Sequence, residues 1–275
     1  TIKVKSSGEE MSVPMNTKKS CMARDALAKE LYARMFNFLV KRLNKSLSIT
    51  EHSANSTDAI VKGNIGVLDI FGFEIFEQNK FEQMCINFVN EKLQQYYNQH
   101  TFEQEEAMYI SEGIEFKNIT FSSNLGVLEL FEKRISGVFS ILDEEGIRPS
   151  GSDKSFRRKL NTKNKHSNHL SISKIQNEFF TVKHFAGTVT YSIDNFVDLN
   201  RDRLLPSLVS MLQSSSSSFV NSLFPPQQTK LRNTKKAAIT LSANLRNQLG
   251  VLMKMLNQTS PHFIRCIKPN NERKR

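Results

Sequence analysis

Apolar residues recur every three or four positions along much of this chain, which is the spacing of one face of an α-helix. The spacing predicts an amphipathic helix over about residues 20–45, and a longer one of about thirty residues that begins near Asn79 as its N-cap. Neither stretch contains glycine or proline. Another helix is expected over about 241–256, where leucines repeat at the same spacing and Pro261 ends the pattern.

Shorter helices are expected in the middle of the chain. Residues 125–160 predict two helices around a tight turn at 146–151, and Ser152 or Asp153 can cap the second helix. The stretch 195–224 predicts further helix, interrupted by a proline and by a run of five serines.

Three stretches have the pattern of β-strands. The apolar run at 65–70 predicts a buried parallel strand, the alternation over 179–193 predicts a β-hairpin, and 263–268 predicts a short strand. The fold class is therefore expected to be α/β and dominated by helix, with about half of the residues helical. Because so few strands leave sheet edges uncovered, we expect the isolated chain to be poorly stable.

Composition is that of a globular protein. Hydrophobic residues make up 39% of the 275 residues, and 20 phenylalanines supply apolar surface for a sizeable core. No apolar run approaches the ~20 residues of a membrane span, and the N-terminus is too polar for a signal peptide. The three cysteines, Cys21, Cys85 and Cys266, are far apart and odd in number. They favour a reducing compartment over disulfides or a zinc site, so a soluble intracellular protein is expected.

The net charge of +11 is unevenly distributed. Residues 225–275 carry +10, whereas residues 71–145 carry −9. A basic end favours an acidic partner, which can be nucleic acid, an anionic membrane or an acidic protein filament. A solvated basic surface is the simpler explanation of any single basic run. The nucleic-acid hypothesis rests on charge alone, because the chain has no RNP, KH or zinc-finger pattern.

One motif points to nucleotide chemistry. Asp69 closes the apolar run at 65–70, and Gly72 follows three residues later. In P-loop nucleotide hydrolases this arrangement brings a carboxylate toward Mg²⁺ and a backbone N–H toward a γ-phosphate, and glycine has no Cβ to keep the phosphate away. Taken alone, the motif more often marks a strand end and a turn. No glycine in the chain is followed by lysine, so the Gly-Lys-Ser/Thr phosphate cradle is not supplied here.

Six sequence blocks, in order, resemble the motor head of myosins. They are similar to the long helix before switch II, switch II, the relay helix, the lower actin-binding turn, the transducer hairpin and the strand after the actin-binding helix. The corresponding residues are 24–29 (RDALAK), 69–74 (DIFGFE), 87–94 (NFVNEKLQ), 142–145 (LDEE), 184–191 (HFAGTVTY) and 261–270 (PHFIRCIKPN).

The resemblance implies a helix-dominated α/β part of a P-loop NTPase-type motor head, with a few strands of its central sheet. The P-loop and switch I that come earlier in the family, and the converter and lever that come later, are not in this sequence, so both ends are expected to be truncations. The implied regions are an upper-subdomain loop and long helix (1–60), a sheet strand and switch II (61–78), the relay helix and lower actin-binding subdomain (79–178), the transducer hairpin (179–194), helices and a basic actin-binding loop (195–240), and an actin-binding helix and core strand (241–275).

The resemblance also implies a nucleotide site for ATP and Mg²⁺. Asp69, Phe71 and Gly72 would contact the nucleotide, with Asp69 holding Mg²⁺ through a water molecule and the Gly72 N–H bonding the γ-phosphate. Glu74 would pair with a switch I arginine, so that Asp69, Gly72 and Glu74 act in catalysis. Because phosphoryl transfer depends on positioning and electrostatics, we expect this chain without the P-loop and switch I to be inactive alone.

By the same resemblance, two surfaces would meet actin, and residues 1–13 lie where the family has an upper actin-contacting loop. The first surface is the helix–turn–helix at about 125–160, whose turn offers Ile147 as an apolar tip, Arg148 as a charge, and Pro149. The second begins with the basic loop residues Lys230, Arg232, Lys235 and Lys236. It continues through Leu249, Gly250, Val251, Leu252, Met253, Lys254, Met255, Leu256, Asn257, Gln258, Thr259, Ser260, Pro261, His262, Phe263, Ile264, Arg265, Cys266, Ile267, Lys268, Pro269, Asn270 and Asn271.

The expected function is that of a segment of an ATP-dependent, actin-based motor, contributing phosphate sensing, relay coupling and filament binding. Expected partners are the actin filament, the rest of the motor head and lever, and light chains, in the cytoplasm on the cytoskeleton. No nucleic acid or membrane partner is expected through this segment. The alternative is a non-enzymatic actin-binding module derived from a myosin head. A Gly-x-x-x-x-Gly-Lys-Ser/Thr encoded upstream would favour the motor, and a start codon there would favour the module.

Overall fold

The computed structural model describes residues 2–6, 9–47, 65–115, 123–173, 177–201, 204–225, 240–264 and 270. The chain divides into two compact units. The small unit comprises Thr1–Leu68 and Asp202–Lys236, and the large unit comprises Asp69–Arg201 and Ala237–Arg275.

The described residues are rich in helix, with short strands. In chain order the elements are β1 (Ile2–Ser6), β2 (Glu9–Val13), α1 (Thr17–Leu47), α2 (Phe81–Asn98), α3 (Gln104–Ser111), α4 (Leu125–Glu132), α5 (Val138–Ile147), α6 (Asp153–Lys163), β3 (Leu170–Ser171), β4 (Phe179–Lys183), β5 (Thr188–Ser192), α7 (Phe196–Asn200), α8 (Pro206–Gln213), α9 (Ser218–Leu223) and α10 (Leu241–Leu256). A π-helical turn, Gln99–Glu103, joins α2 to α3, so these three pieces form one continuous helical rod.

The described part of the small unit contains a strand pair and a helix pair. Its strands β1 and β2 pair antiparallel, and α1 packs on α9. The guanidinium of Arg34 donates a 2.6 Å hydrogen bond to the Leu223 carbonyl and lies 4.2 Å from the ring centre of Phe224. Phe38 meets Phe219 edge to face at 5.3 Å. Within the described residues, these contacts join α1 to α9 and to the residue that follows it through polar and aromatic side chains.

The large unit has a dense aromatic core. Strands β3, β4 and β5 form an antiparallel sheet in that order, and the alternation along β4 and β5 turns their apolar side chains inward. Helices α2, α4, α5, α6 and α7 pack around this sheet. The largest of the fully buried side chains in the large unit are Tyr191, Phe88, Phe131, Phe139, Phe156, Phe180 and Phe196.

Most of the helices and the hairpin agree with the sequence. The helices predicted over 20–45 and 241–256 are α1 and α10, and the hairpin predicted over 179–193 is β4–β5. The region 195–224 is broken into three helices, as its proline and serines indicate. Ser152 caps α6 by accepting a hydrogen bond from the Ser155 N–H at 3.2 Å, as predicted.

The predicted strand at 65–70 is wrong. Residues 65–76 have no regular secondary structure, and Ile65 and Val67 are almost fully exposed. A strand needs a neighbour for its N–H and C=O groups, and none of the described strands pairs with this run. An apolar run with neither a pairing partner nor a covering layer has nothing to hold it extended.

Of the strand predicted at 263–268, the structure describes only the first two residues, and these do not form a strand. Phe263 and Ile264 are irregular, and the rest of that stretch lies outside the described residues. Helix α10 ends at Leu256, before Pro261, with a closing bond from the Thr259 N–H to the Leu256 carbonyl at 3.0 Å. The proline therefore does not itself terminate the helix.

Two further details correct the sequence prediction. The N-cap of α2 is Lys80, whose N–H donates to the Gln83 side chain at 3.0 Å, and not Asn79. The first helix predicted within 125–160 is broken into α4 and α5. A Cβ on Gly137 would lie 2.5 Å from the Lys133 carbonyl oxygen, so a tight bend at that glycine separates the two helices.

None of the described helices is both long enough and apolar enough to cross a membrane. Cys21 is exposed and Cys85 is buried, and both are free thiols. Burial, with a smaller contribution from Glu82, raises the pKa of Cys85 to about 12, so that thiol stays protonated and unreactive. Cys266 lies outside the described residues.

Candidate functional site

The segment 69–74 lies on the surface at the start of the large unit. Asp69, Phe71 and Gly72 are exposed, and Glu74 is half-buried. A Cβ built on Gly72 would meet no atom within 4 Å, so open space lies beside that residue. The segment thus presents a carboxylate and an unobstructed stretch of backbone, as the Asp-x-x-Gly motif requires.

Two asparagines of α2 fasten this segment to the helix. The Glu74 N–H donates to Asn87 Oδ1 at 2.8 Å, and Asn87 Nδ2 donates back to the Glu74 carbonyl at 2.8 Å. One turn later, Asn90 Nδ2 donates to the Phe71 carbonyl at 3.1 Å. Because residues three apart share a helix face, Asn87 and Asn90 can both hydrogen-bond to the 69–74 segment.

A buried hydrogen-bonded chain continues from Asn87 into the β4–β5 hairpin. Asn87 Nδ2 lies 2.9 Å from the Tyr191 hydroxyl, which lies 2.8 Å from His184 Nε2. His184 Nδ1 lies 3.0 Å from Glu91 Oε1, and Glu91 returns the chain to α2. We call the side chains of Asn87, Tyr191, His184 and Glu91 the buried chain. All four residues are at least 95% buried.

The donors and acceptors of the buried chain have one consistent order. The amide of Asn87 can only donate to Tyr191, so the Tyr191 O–H donates to His184 Nε2, and the His184 Nδ1–H donates to Glu91. Burial raises the pKa of the Tyr191 hydroxyl above its ordinary range, which keeps the donating proton in place. Both ring nitrogens of His184 are therefore hydrogen-bonded.

Glu91 is the end of the buried chain, and other groups fix it. Glu91 accepts from the Phe185 N–H at 2.9 Å and from Asn124 Nδ2 at 2.6 Å. Asn124 directly precedes α4, and Phe185 lies in the hairpin turn. One carboxylate therefore ties α2, α4 and the hairpin together. In the described part of the chain, no three His, Cys, Asp or Glu side chains are placed to hold a metal ion.

The segment that follows Glu74 is also fixed to the sheet. Asn79 accepts from the Phe76 N–H at 2.8 Å and donates to the Phe76 carbonyl at 2.9 Å, while its own carbonyl accepts from the Ser192 N–H at 2.9 Å. Phe73 packs edge to face on His184 at 5.2 Å. Movement of the 69–74 segment would therefore disturb α2 and the hairpin at once.

A second cluster lies at the turn between α5 and α6. Ile147, Arg148 and Pro149 are exposed at its tip. A Cβ on Gly151 would lie 1.9 Å from the Glu145 carbonyl oxygen, so only glycine fits where the chain reverses. The turn thus displays an apolar side chain and a cation outward from a closely packed base.

Charged groups hold the base of this turn. The Lys159 ammonium lies 2.6 Å from a carboxylate oxygen of each of Glu144 and Glu145. Burial alone would raise the pKa of Glu145, but hydrogen bonds from Lys159, Ser155 and the Ser152 N–H outweigh it and lower that pKa. The Lys159 hydrogen bond likewise lowers the pKa of Glu144. Both carboxylates are held in the charged form.

Helix α10 is fixed at its N-terminal end by Asp143 of α5. The Thr240 and Ser242 hydroxyls and the Arg246 guanidinium all donate to the Asp143 carboxylate. Asn200 Nδ2 adds a fourth contact at 3.1 Å. The helix that follows the predicted basic loop is therefore docked on the same helix, α5, that leads into the exposed turn.

The outer face of α10 remains accessible. Val251, Lys254 and Met255 are exposed on one side, while Leu249 is buried on the other. At its far end, the Tyr96 hydroxyl donates to the Leu256 carbonyl at 3.1 Å. This end of α10 is thereby tied to the last turn of α2.

Not every predicted site residue lies in the described part of the chain. The basic loop residues Lys230, Arg232, Lys235 and Lys236, the residues Arg265, Cys266, Ile267, Lys268 and Pro269, and Asn271 lie outside it. Residues 1–13, predicted as a loop, contain the hairpin β1–β2. Among the described candidate residues, Glu74 is hydrogen-bonded to α2. The 146–151 turn follows α5, and α10 is hydrogen-bonded to the same helix.

Sequence reasoning missed three groups that build these sites. They are the α2 side chains Asn87 and Glu91, the carboxylate Asp143, and the guanidinium of Arg201, which contacts the 146–151 turn. A signal existed for the first pair, because Asn87 and Glu91 are four residues apart and so share the helix face that contains Phe88. Asp143 and Arg201 act across more than 50 residues of sequence, and no local pattern marks them.

Comparison with known proteins defines the family. The model of the myosin head, the motor domain, matches residues 1–275. The chain belongs to the myosin head family. It is 41% identical over 263 residues to the high molecular weight form of myosin-1 of Acanthamoeba castellanii, covering 95% of this chain and 16% of that protein. Myosin IE heavy chain of Dictyostelium discoideum is 41% identical over 269 residues, covering 96% of this chain and 26% of that protein.

Plant myosins are similarly related. Myosin-6 of Arabidopsis thaliana is 40% identical over 263 residues, covering 96% of this chain and 17% of that protein. The chain thus spans between about one sixth and one quarter of the length of these relatives. The predicted relation to myosin motor heads is confirmed, while the roles given to single residues remain predictions.

Proposed function

We propose that this myosin segment senses the γ-phosphate of ATP through residues 69–74, relays that state along α2, and binds an actin filament through the α5–α6 turn and α10. The observation that carries the proposal is the buried chain. It joins the exposed Asp-x-x-Gly segment to α2 and to the hairpin without a break. In the complete motor this activity belongs to a P-loop type nucleotide hydrolase on the cytoskeleton.

The residues of the 69–74 segment fit a nucleotide and Mg²⁺. Asp69 is an exposed carboxylate, the type of group that holds Mg²⁺ directly or through water. The empty space beside Gly72 lets a phosphate oxygen approach the backbone. When bound, ATP and Mg²⁺ would supply the scissile phosphate and its charge neutralisation. Gly72 would orient the phosphate through its N–H, and Asp69 would orient the metal's water shell.

Glu74 is the hinge between sensing and relay. Its carboxylate is the group proposed to pair with a switch I arginine, and its backbone is bonded twice to Asn87. A shift of Glu74 on pairing would pull on Asn87, and through it on Tyr191 and His184. Because these groups are buried and fully bonded, they favour moving together over breaking singly. Phosphate contact would thereby change the placement of α2 and of the hairpin.

The proposed actin surface combines apolar tips with positive charge. Ile147 and Arg148 project from the turn, and Val251, Lys254 and Met255 form the outer face of α10. Methionine and arginine are enriched at protein interfaces, where apolar groups form the centre and most charged groups, such as Lys254 here, lie at the rim. Both elements dock on α5, so that they form a fixed pair of contact points. The exposed face of actin is acidic, as the resemblance implies.

The basic loop would add long-range attraction. Lys230, Arg232, Lys235 and Lys236 lie in a stretch with no acidic residue from Pro225 to Asn271. Reversing these charges is expected to slow association with filaments. The effect should shrink as salt rises, because the Debye length falls from ~10 Å at 0.1 M to ~3 Å at 1 M.

The test of phosphate sensing is Gly72→Ala in a complete myosin head that carries this segment. The added methyl group meets no protein atom within 4 Å, so folding should be unaffected, but it occupies the space through which the phosphate must approach. We expect ATP turnover to fall by about 10²–10³-fold, the effect of losing one such donor, with ATP still bound. The measurements are steady-state ATPase activity and binding of a fluorescent ATP analogue.

The matched control is Gly66→Ala, because a Cβ on Gly66 also meets nothing within 4 Å. It should retain normal turnover. Turnover of Gly72→Ala at the control rate would remove the role proposed for Gly72.

The test of the filament surface is Ile147→Asp, measured by the dissociation rate from actin filaments. Ile147 is 59% exposed, so the change should spare folding but remove apolar contact and speed dissociation, with little dependence on salt. The control is Ile135→Asp, a similarly exposed isoleucine before the opposite end of α5. Equal dissociation rates for the two variants would contradict the assignment of the turn.

A further inference from the structure

The guanidinium of Arg201 fills the inside of the turn between α5 and α6. Its Nε donates to the Gly146 carbonyl at 2.8 Å. Its Nη2 donates to the carbonyls of Glu145 at 2.9 Å, Arg148 at 2.6 Å and Gly151 at 3.3 Å. One side chain thus contacts four backbone oxygens spread over the whole turn.

These carbonyls need a partner for a physical reason. Glu145 and Gly146 lie in the last turn of α5, where the helix carbonyls have no intrahelical N–H to accept from. A cation at a helix C-terminus is also favoured by the helix dipole. Arg201 is well suited because its planar fork has five donors, whereas a lysine ammonium is a point charge with three. Asp198 Oδ1, 3.3 Å from Nη1, orients the fork.

The opposite side of the turn is closed by a second set of contacts. The buried Glu145 carboxylate accepts from the Ser152 N–H at 3.2 Å and pairs with Lys159 at 2.6 Å. The turn is therefore held from inside by Arg201 and from below by Glu145. The tip residues Ile147 and Arg148 remain exposed, and the Arg148 guanidinium lies 3.8 Å from the Glu145 carboxylate.

We propose that Arg201 is a positioning residue that holds the 146–151 turn in the shape that binds the filament. The inference rests on the proposed filament function of Ile147. A turn that is ordered before binding loses less conformational entropy on binding. If Arg201 is removed, only a fraction of heads present the turn correctly, and the apparent affinity falls by that fraction.

The experiment compares Arg201→Ala with the unaltered protein in a complete myosin head that carries this segment. We expect about tenfold weaker binding to actin filaments, because several charged hydrogen bonds are lost, with basal ATPase activity unchanged. In filament-activated ATPase assays, the actin concentration for half-maximal activity should rise while the maximal rate is kept. Millimolar free guanidinium should restore affinity in Arg201→Ala. A general loss of structure would not give this rescue.

Two variants complete the design. Arg201→Lys keeps the charge but cannot span four carbonyls, so we expect an affinity between those of the alanine variant and the unaltered protein. Arg134→Ala removes an exposed arginine that lies before the opposite end of α5 and should leave affinity unchanged. If Arg201→Ala fails to fold, Arg201→Lys decides, and an unaltered affinity in that variant overturns the inference.

The outcome also separates this inference from the function on which it rests. If Ile147→Asp leaves filament binding unchanged, the proposed filament surface is wrong. If Ile147→Asp weakens binding while Arg201→Ala binds as tightly as the unaltered protein, the surface stands and only the role of Arg201 is lost.

Discussion

The longest helices of the two units, α1 and α2, differ in how much of their apolar surface is buried. In the large unit, α2 buries Phe81, Met84 and Phe88 against the sheet and against α4 and α5. In the small unit, Ala26 is the one buried residue among those described in α1. The apolar side chains that α1 exposes are Tyr32, Met35, Phe36, Leu39, Leu43 and Leu47. Both helices are amphipathic in sequence, yet among the described residues only α2 belongs to a large apolar core.

The difference teaches that periodicity identifies a face but not its partner. The apolar positions of α1 recur every three or four residues, as do those of α2, and both helices form. Hydrophobic stabilisation is proportional to the apolar area removed from water, so the same pattern contributes much in α2 and little in α1. We therefore expect the large unit to carry most of the stability of this chain, and matched substitutions can test that.

The largest expected difference comes from Phe88→Ala against Phe36→Ala. Phe88 is fully buried and packs on Phe131 and Phe139, whereas Phe36 is 56% exposed. Loss of the buried ring should lower the free energy of unfolding by about 3–5 kcal/mol. Loss of the exposed ring should change it by no more than about 0.5 kcal/mol. Denaturant unfolding of the 275-residue chain measures both, in a stabilising osmolyte that offsets the low stability expected of the isolated chain. Equal losses would show that α1 has a partner for its apolar face.

The sequence predicted the parts of the fold that depend on local spacing. The helices α1 and α10 and the β4–β5 hairpin each follow a period of 3.6 or 2, which a single stretch of sequence carries. The cap of α6 was predictable for the same reason, because Ser152 bonds only three residues away. Strand 65–70 could not be judged in this way. A strand depends on a neighbour that its own residues do not encode.

Residues of the candidate sites could be identified from sequence motifs, but the contacts that hold those residues in place could not. Asp69 and Gly72 stand out as a pattern, and Ile147 stands out as an apolar residue in a turn. The bond between Asn87 and Tyr191 joins positions 104 residues apart, and that between Asp143 and Thr240 joins positions 97 apart. Such pairs follow from tertiary packing, so they become visible only when the helices and the sheet are assembled.

A smaller difference is expected for Tyr191→Phe against Tyr32→Phe. The Tyr191 hydroxyl is buried and links Asn87 to His184, whereas Tyr32 is 73% exposed. Removing the buried hydroxyl leaves an unpaired donor and an unpaired acceptor, and should cost about 1–3 kcal/mol of unfolding free energy. The exposed Tyr32 hydroxyl contacts water in both the folded and the unfolded chain, so its removal should leave the free energy of unfolding unchanged. Hydrogen exchange of the α2 and β5 amides should rise in the first variant and not in the second.

The smallest expected difference concerns ion pairs, in Lys159→Met against Arg24→Met. Lys159 bonds Glu144 and the buried Glu145 at 2.6 Å, whereas Arg24 pairs with Asp25 on the open surface of α1. We expect Lys159→Met to lower the free energy of unfolding by on the order of 1 kcal/mol, and Arg24→Met to leave it unchanged. Denaturant unfolding at neutral pH and moderate salt measures both.

The effect of Lys159→Met on the free energy of unfolding should depend on pH, which provides a sharper test of the ion pair. In the folded chain the pKa values of Glu144 and Glu145 lie below the ordinary value of 4.5, chiefly through hydrogen bonds from Lys159 that, at Glu145, overcome burial. Between the folded and the ordinary pKa the unfolded chain binds more protons, so stability falls as pH decreases through that window. The contribution of Lys159 should therefore be complete above pH 4.5 and vanish below the folded pKa values. The free energy of unfolding of the unaltered protein and of Lys159→Met is compared at each pH. If the difference were the same from neutrality to below that window, Lys159 would stabilise the turn by packing alone and not by its charge.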